Sequence, residues 1–130
     1  MAGSTPETMH EHFMQAFNSG DIDQLMELYE PDAVILPQPG QLAEGTGQVR
    51  EALRGFMALN GPIDLHPIEI LQTGDLALIV SHWTLDGTGP DGNPLSLASN
   101  TLEVVRRGED GSWRYVIDNP WGAPLKDAAG

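Results

Sequence analysis

Phe17-Asn18-Ser19-Gly20-Asp21-Ile22 followed by Leu28-Tyr29-Glu30-Pro31-Asp32-Ala33-Val34 is the stretch on which the reading of the fold turns. Gly20 is free to adopt the left-handed conformation that ends a helix, and Asp21 directly after it supplies a capping carboxylate for the next one. Gln24, three residues on, completes a capping box. Ile22, Leu25, Met26, Leu28 and Tyr29 then make the buried side of a second helix. Pro31 stops that helix, because proline lacks an N–H and disfavours helix at the residue before it. Ala33–Leu36 follows as a short strand.

Upstream, the first helix begins near Pro6. Ser4 or Thr5 caps it, with Glu7 in place for a capping box, and Met9, Phe13, Ala16 and Phe17 form one apolar stripe. Downstream, 37–40 is a turn-rich loop and 44–46 a second short strand. Thr46 caps a third helix whose stripe is Val49, Leu53, Phe56 and Met57, closed by Asn60-Gly61-Pro62. The pattern then changes to long strands over 63–72, 76–85, 95–106 and 113–119. Turns at 73–75, 87–94 and 108–111 separate them, and a bulge is expected around His66-Pro67-Ile68. Helices gathered at the N-terminus and strands after them indicate an α+β domain: three helices against a curved, mixed but mostly antiparallel sheet, together forming a cone with an interior of its own. The 130 residues suit a single domain, with its core over about 6–122 and small, polar ends that fray.

Composition removes several function classes. Nineteen acidic residues against six basic ones give a formal net charge of -13, the wrong sign for a nucleic-acid or anionic-membrane partner. There is no cysteine, so thiolate nucleophiles, disulfides and cysteine metal sites are ruled out. His10 and His12 stand two apart on a helix and face different ways, and no metal or other cofactor is expected. The N-terminus lacks the basic start and apolar run of a signal peptide, and no apolar run approaches the ~20 residues of a membrane span. A cytoplasmic location is the expectation.

The quoted stretch resembles the Asn-x-Gly-Asp and Leu-Tyr-x-x-Asp-Ala signature of nuclear-transport-factor-2-like proteins. Gly111-Ser112-Trp113-Arg114 and Ile117-Asp118-Asn119-Pro120-Trp121-Gly122 are similar to the closing strand of their SnoaL-like and ketosteroid-isomerase-homologue branch. The resemblance spans about residues 8–122. It implies the cone fold, dimerisation through the outer sheet face, and a small apolar molecule as partner. It leaves the activity open, because this fold hosts isomerases, dehydratases, cyclases, epoxide hydrolases and non-catalytic binding domains.

The chemistries of the family can be tried on this chain. The steroid-isomerase positions that hold a tyrosine, a base aspartate and an acid on the penultimate strand are here Phe13, Pro37 and Ser99-Asn100-Thr101, so that mechanism is not expected. A dehydratase-like set would be His82 and Asn100 on neighbouring strands, with His66 on the one before; the competing reading puts His82 at a rim or dimer face and His66 at the bulge. A cyclase-like acid–base carboxylate would be Asp118, its pKa raised by an apolar interior, unless it caps the turn into Asn119-Pro120. Strict alternation sets a condition: if Trp113, Tyr115 and Ile117 line the interior, Asp118 lies outside it. The candidate catalytic set is therefore Asp118, His82 and Asn100. The pocket wall is assigned to Phe13, Phe17, Tyr29, Leu36, Phe56 and Trp83, with Trp121 closing the mouth or packing at a dimer contact. Two functions follow: a cofactor-independent isomerase, cyclase or lyase working by proton transfer, or a non-catalytic ligand-binding or dimerisation module.

Overall fold

The structure is a computed structural model that describes residues 4–122. Element order is α1 (Met9–Ser19), α2 (Ile22–Met26), β1 (Tyr29–Gln38), β2 (Gln41–Glu44), α3 (Gly45–Met57), β3 (Ile63–Thr73), β4 (Leu76–Thr88), β5 (Pro94–Asn100), β6 (Leu102–Arg107) and β7 (Trp113–Asn119). The seven strands form one sheet in the order β2-β1-β7-β6-β4-β3, with β5 paired to the far half of β4. Only β1 and β7 run parallel; the other pairings are antiparallel. The α+β cone is as the sequence led us to expect. None of the described helices is long and apolar enough to cross a membrane.

The hinge between the first two helices follows its sequence signals. Gly20 takes φ 77° at the end of α1, and Asp21 Oδ1 accepts the Gln24 amide at 3.0 Å to start α2. Beyond Met26 the reading needs correction. Leu28 and Tyr29 leave the helix, Tyr29 opens β1, and Pro31 lies inside that strand rather than ending a helix. Glu30 and Pro31 sit where β1 pairs irregularly with β7, a place where a missing N–H breaks no ladder.

Three other expectations shift. Ser4 does not cap α1: its hydroxyl accepts the Trp113 amide at 2.7 Å and is buried, tying the N-terminal end of the described chain to β7. Thr5 and Thr8 instead bond each other's backbone N–H groups ahead of α1. Thr46 lies within α3, which starts one residue after Glu44. The long strand expected over 95–106 is broken at Thr101. There the Thr101 amide donates to the Ser81 carbonyl at 2.7 Å and the Thr101 hydroxyl accepts the Ser81 amide at 3.0 Å, so β5 pairs with the second half of β4 and β6 with its first half. The bulge in β3 falls at Ile68, as expected. The loose ends expected at both termini lie outside the described residues, apart from Ser4.

The helices cover the concave face of the sheet. Met9, Phe13, Ala16 and Phe17 of α1 and Val49 and Leu53 of α3 are buried against Ala77, Ile79, Trp83 and Leu85 of β4 and against Val105 and Tyr115. The convex face keeps Leu71, Leu76, Leu78 and Ile117 exposed. It is the face on which the sequence suggested pairing with a second copy.

Candidate functional site: a buried carboxyl pair

Strand β6 alternates cleanly. Glu103 and Val105 point into the cone and are buried, as is Thr101 just before the strand, while Leu102 and Val104 point outward. A glutamate on the inner face of a central strand is costly unless it is hydrogen-bonded or holds its proton. Glu103 has both supports. Its Oε1 accepts the Thr101 hydroxyl at 2.8 Å and the Ser81 hydroxyl at 3.1 Å. Burial, and then the neighbouring Asp118 charge, push its pKa up to about 8, against the pull of those two hydrogen bonds.

Asp118 stands directly across from Glu103 on β7. Its inward position corrects the alternation argument. In β7 the partner of Val104 is Ile117 and the partner of Val105 is Tyr115, so Val116 is an extra residue and the strand bulges there. The bulge resets the parity: Trp113, Tyr115 and Asp118 are all buried, whereas Ile117 is turned out and 41% exposed. Asp118 is therefore inside with two of the three residues expected to exclude it. Its Oδ2 accepts the Tyr29 hydroxyl at 2.5 Å. Burial raises its pKa to about 6, and the Tyr29 hydrogen bond holds it lower than burial alone would. Tyr29 itself is pushed well up, first by burial and then by the Asp118 charge, so its phenol remains a donor across the physiological range.

The second oxygens, Asp118 Oδ1 and Glu103 Oε2, accept no hydrogen bond from any described residue. Both carboxyls line a small, partly open cavity together with Thr101; the rest of its wall is apolar, chiefly Phe13, Phe17, Leu53, Phe56 and Trp83. The cavity measures about 30 Å³, the space of one or two water molecules. The roomy interior read from the sequence is thus corrected: side chains fill the cone except at its carboxyl-lined centre. No arginine lines the cavity. The five described arginines lie outside, each paired with a surface acid: Arg50 with Asp23, Arg54 with Glu51, Arg106 with Glu30, Arg107 with Asp75 and Arg114 with Asp110. Among the described residues no group of three or more acidic or histidine side chains is placed to hold a metal ion.

The structure separates the other sequence candidates from Asp118. His82 and Asn100 face each other across β4 and β5, with Nδ1 and Oδ1 2.9 Å apart, but both are exposed on the convex face. The physical reason is parity: Ser81 and Trp83 take the inward positions, so His82 between them must point out. His66 is also exposed and pairs with Asp64 at 3.0 Å. Of the proposed wall, Phe13, Phe17, Phe56 and Trp83 line the cavity. Leu36 does not, because Ile35 takes the inward position, and Tyr29 contributes through Asp118 rather than as wall. Trp121 sits over the cavity's outer side, where its ring meets Trp83 at 5.4 Å and Phe56 at 6.3 Å and its Nε1 donates to the Pro37 carbonyl at 3.0 Å. Sequence reasoning missed Glu103. The signal was present: an acid in the apolar run Leu102-Glu103-Val104-Val105 that shares parity with Val105.

Residues 10–116 match the SnoaL-like domain. No curated protein matches the sequence closely. Among solved structures, the chain is similar to a ketosteroid isomerase-like protein from Erwinia carotovora atroseptica SCRI1043, with 24% identity and a TM-score of 0.74 over 87% of this chain and 89% of that one. It is also similar to an NTF2-like protein with a cystatin-like fold from Novosphingobium aromaticivorans, with 22% identity and a TM-score of 0.73 over 95% of this chain and 82% of that one. A conserved protein from Planctomyces limnophilus DSM 3776 gives 22% identity and a TM-score of 0.75 over 91% and 93% of the two chains. At these identities the likeness is one of fold.

Proposed function

Given that the chain belongs to the SnoaL-like domain family, we propose that it is a cofactor-independent isomerase or lyase that moves a proton on a small, largely apolar carbonyl compound. The observation that carries this reading is the pair of buried carboxyls, Glu103 and Asp118, facing each other across β6 and β7 with unequal proton affinity. Two titratable groups whose surroundings push their pKa values apart divide naturally into an acid and a base.

At neutral pH Glu103 keeps its proton and is the acid; Asp118, held lower by Tyr29, is mainly ionised and is the base. Asp118 takes a proton from the carbon next to the substrate carbonyl while Glu103 gives one to the carbonyl oxygen, leaving a neutral enol. Return of the Asp118 proton to a different carbon, with the oxygen's proton going back to Glu103, gives the isomer and restores the pair. In the lyase outcome the enol expels a leaving group from the carbon β to the carbonyl: the C–X bond breaks, X leaves with the Asp118 proton, and the enol's oxygen proton returns to Glu103, leaving an α,β-unsaturated carbonyl and the original pair. One structural neighbour is described as ketosteroid isomerase-like, and this reaction class is the same in kind. The residues are not: Phe13 and Pro37 stand at the steroid-isomerase positions, so the two carboxyls of β6 and β7 would have to take over.

The test uses a generic substrate. Deuterium uptake at the carbon next to the carbonyl of 2-butanone, followed by NMR in D₂O, should run faster with the protein than in buffer alone. Asp118→Asn and Glu103→Gln should each slow it by about 100-fold, the scale of general acid–base catalysis. Uptake no faster than in buffer, or unaffected by both substitutions, contradicts the proposal and favours a non-catalytic binding module.

A further inference from the structure

The interior cavity and a surface trough beside α3 meet at one side chain. Phe56, near the end of α3, forms part of the cavity wall and also part of the wall of a surface trough of about 560 Å³. The trough runs over Pro37, Pro39, Ala52, Leu59, Leu97 and Trp121, with Gln38 and Glu51 at its edge. Its volume lies in the range of small-molecule sites, whereas the cavity behind Phe56 has room for a water or two. Phe56 is half-buried, and it contacts Trp83 edge-on at 6.1 Å on the inner side and Trp121 on the outer side. Gly55 beside it has open space around it.

We propose that the substrate has two parts: a compact carbonyl head that passes Phe56 to reach Glu103 and Asp118, and a straight apolar tail that stays behind in the Pro37–Leu97–Trp121 trough, with Phe56 acting as the gate between them. This rests on the reading of the carboxyl pair as the reacting groups, and it adds the substrate's shape and the residues that select it. A turn of the Phe56 ring joins the two spaces and enlarges the inner one at the same moment. That removes the conflict between a water-sized cavity and an organic reactant. The trough's lining suits a hydrocarbon chain better than an anion: its wall is mostly apolar, and among the described residues the charged one lining it is Glu51. A buried methylene contributes to binding, whereas a buried polar group loses its hydration.

The experiment measures binding and turnover separately over 2-butanone, 2-hexanone, 2-octanone and 2-decanone. Calorimetric affinity should rise by at least tenfold from 2-butanone to 2-octanone as the tail fills the trough. Leu97→Asp, which places a charge in the trough, should abolish that gain. Phe56→Ala should speed uptake with a branched head, 3,3-dimethyl-2-butanone, by at least tenfold relative to 2-butanone. Affinity independent of chain length, or a length dependence untouched by Leu97→Asp, overturns the inference. So does a head preference that Phe56→Ala leaves unchanged. The two readings fail separately: a length-dependent affinity without uptake sinks the acid–base proposal alone, and uptake without length dependence sinks this one alone.

Discussion

At pH 8.5 the Glu103→Gln variant should be more stable than the parent by on the order of 5 kcal/mol, and at pH 4 the two should be nearly equal. The sign follows from where the proton prefers to be. Glu103 has its pKa raised from 4.5 to about 8 by burial and by the Asp118 charge. Below pH 4.5 the carboxyl is protonated in both the folded and the unfolded chain, and no difference arises. Between 4.5 and about 8 the unfolded chain releases the proton and the folded chain keeps it, so stability falls as pH rises; above about 8 the loss is complete. A displacement of that size is worth on the order of 5 kcal/mol. The hydrogen bonds from Ser81 and Thr101 are already contained in that displacement, and an amide oxygen accepts both, so they cancel between parent and variant. Glutamine matches the shape and cannot ionise, so the variant should lose most of the slope. A smaller slope from Asp118, raised to about 6, should remain between pH 4 and 6. Urea unfolding at intervals from pH 4 to 9 measures both curves. Parallel curves for parent and variant would mean that Glu103 is not in the environment described.

Trp83→Ala should cost about 3–5 kcal/mol, a large share of the stability of a domain this size. Trp83 is 2% exposed and is the largest of the fully buried side chains. It forms the cavity's floor against Phe56 and Trp121, and its indole N–H donates to the Pro120 carbonyl at 2.6 Å. Removing it takes away a whole aromatic surface, leaves that carbonyl without its donor, and merges the lost volume with the carboxyl-lined space. Neighbouring rings cannot collapse into a gap beside a carboxyl pair without burying it further. A shift of less than about 1 kcal/mol in chemical denaturation would show that this part of the core is slack. The exposed Leu71, replaced by Ala on the convex face, should move stability by no more than about 0.5 kcal/mol and serves as the comparison.

What the sequence made legible, and what it hid, divides along periodicity. The apolar stripes of α1 and α3, the Gly20-Asp21 hinge and the run of long strands are local patterns, and each of them led to the right element. Tyr29 was misplaced because Leu25, Leu28 and Tyr29 fit a helical stripe as well as they fit an inward-facing strand start; the pairing of Tyr29 with Tyr115 on β7 decides the matter, and that contact is distant in sequence. His82 and Asn100 were correctly placed on neighbouring strands; of the two readings of His82, the outward one fits its exposure and the catalytic one needs the opposite face. The face depends on which of Ser81, His82 and Trp83 the core claims, and a large indole outbids an imidazole. Asp118 was identified, yet its orientation could not be derived, since the bulge at Val116 has no glycine or proline to mark it. Glu103 was readable in principle from the alternation of Thr101, Glu103 and Val105; treating 95–106 as one unbroken strand obscured the break at Thr101 that sets that alternation.

The claim beneath the function, the substrate shape and the pH behaviour is that the Glu103–Asp118 pair retains a proton inside the folded protein at neutral pH. Infrared spectroscopy of the folded protein in buffered D₂O tests it directly. At pH 7 the wild type should show the stretch of a protonated, hydrogen-bonded carboxyl that is missing from Glu103→Gln, and the band should fade as pH is raised through about 8. Identical spectra for wild type and variant in that region at pH 7 would contradict the account, because a fully ionised pair has no acid to give.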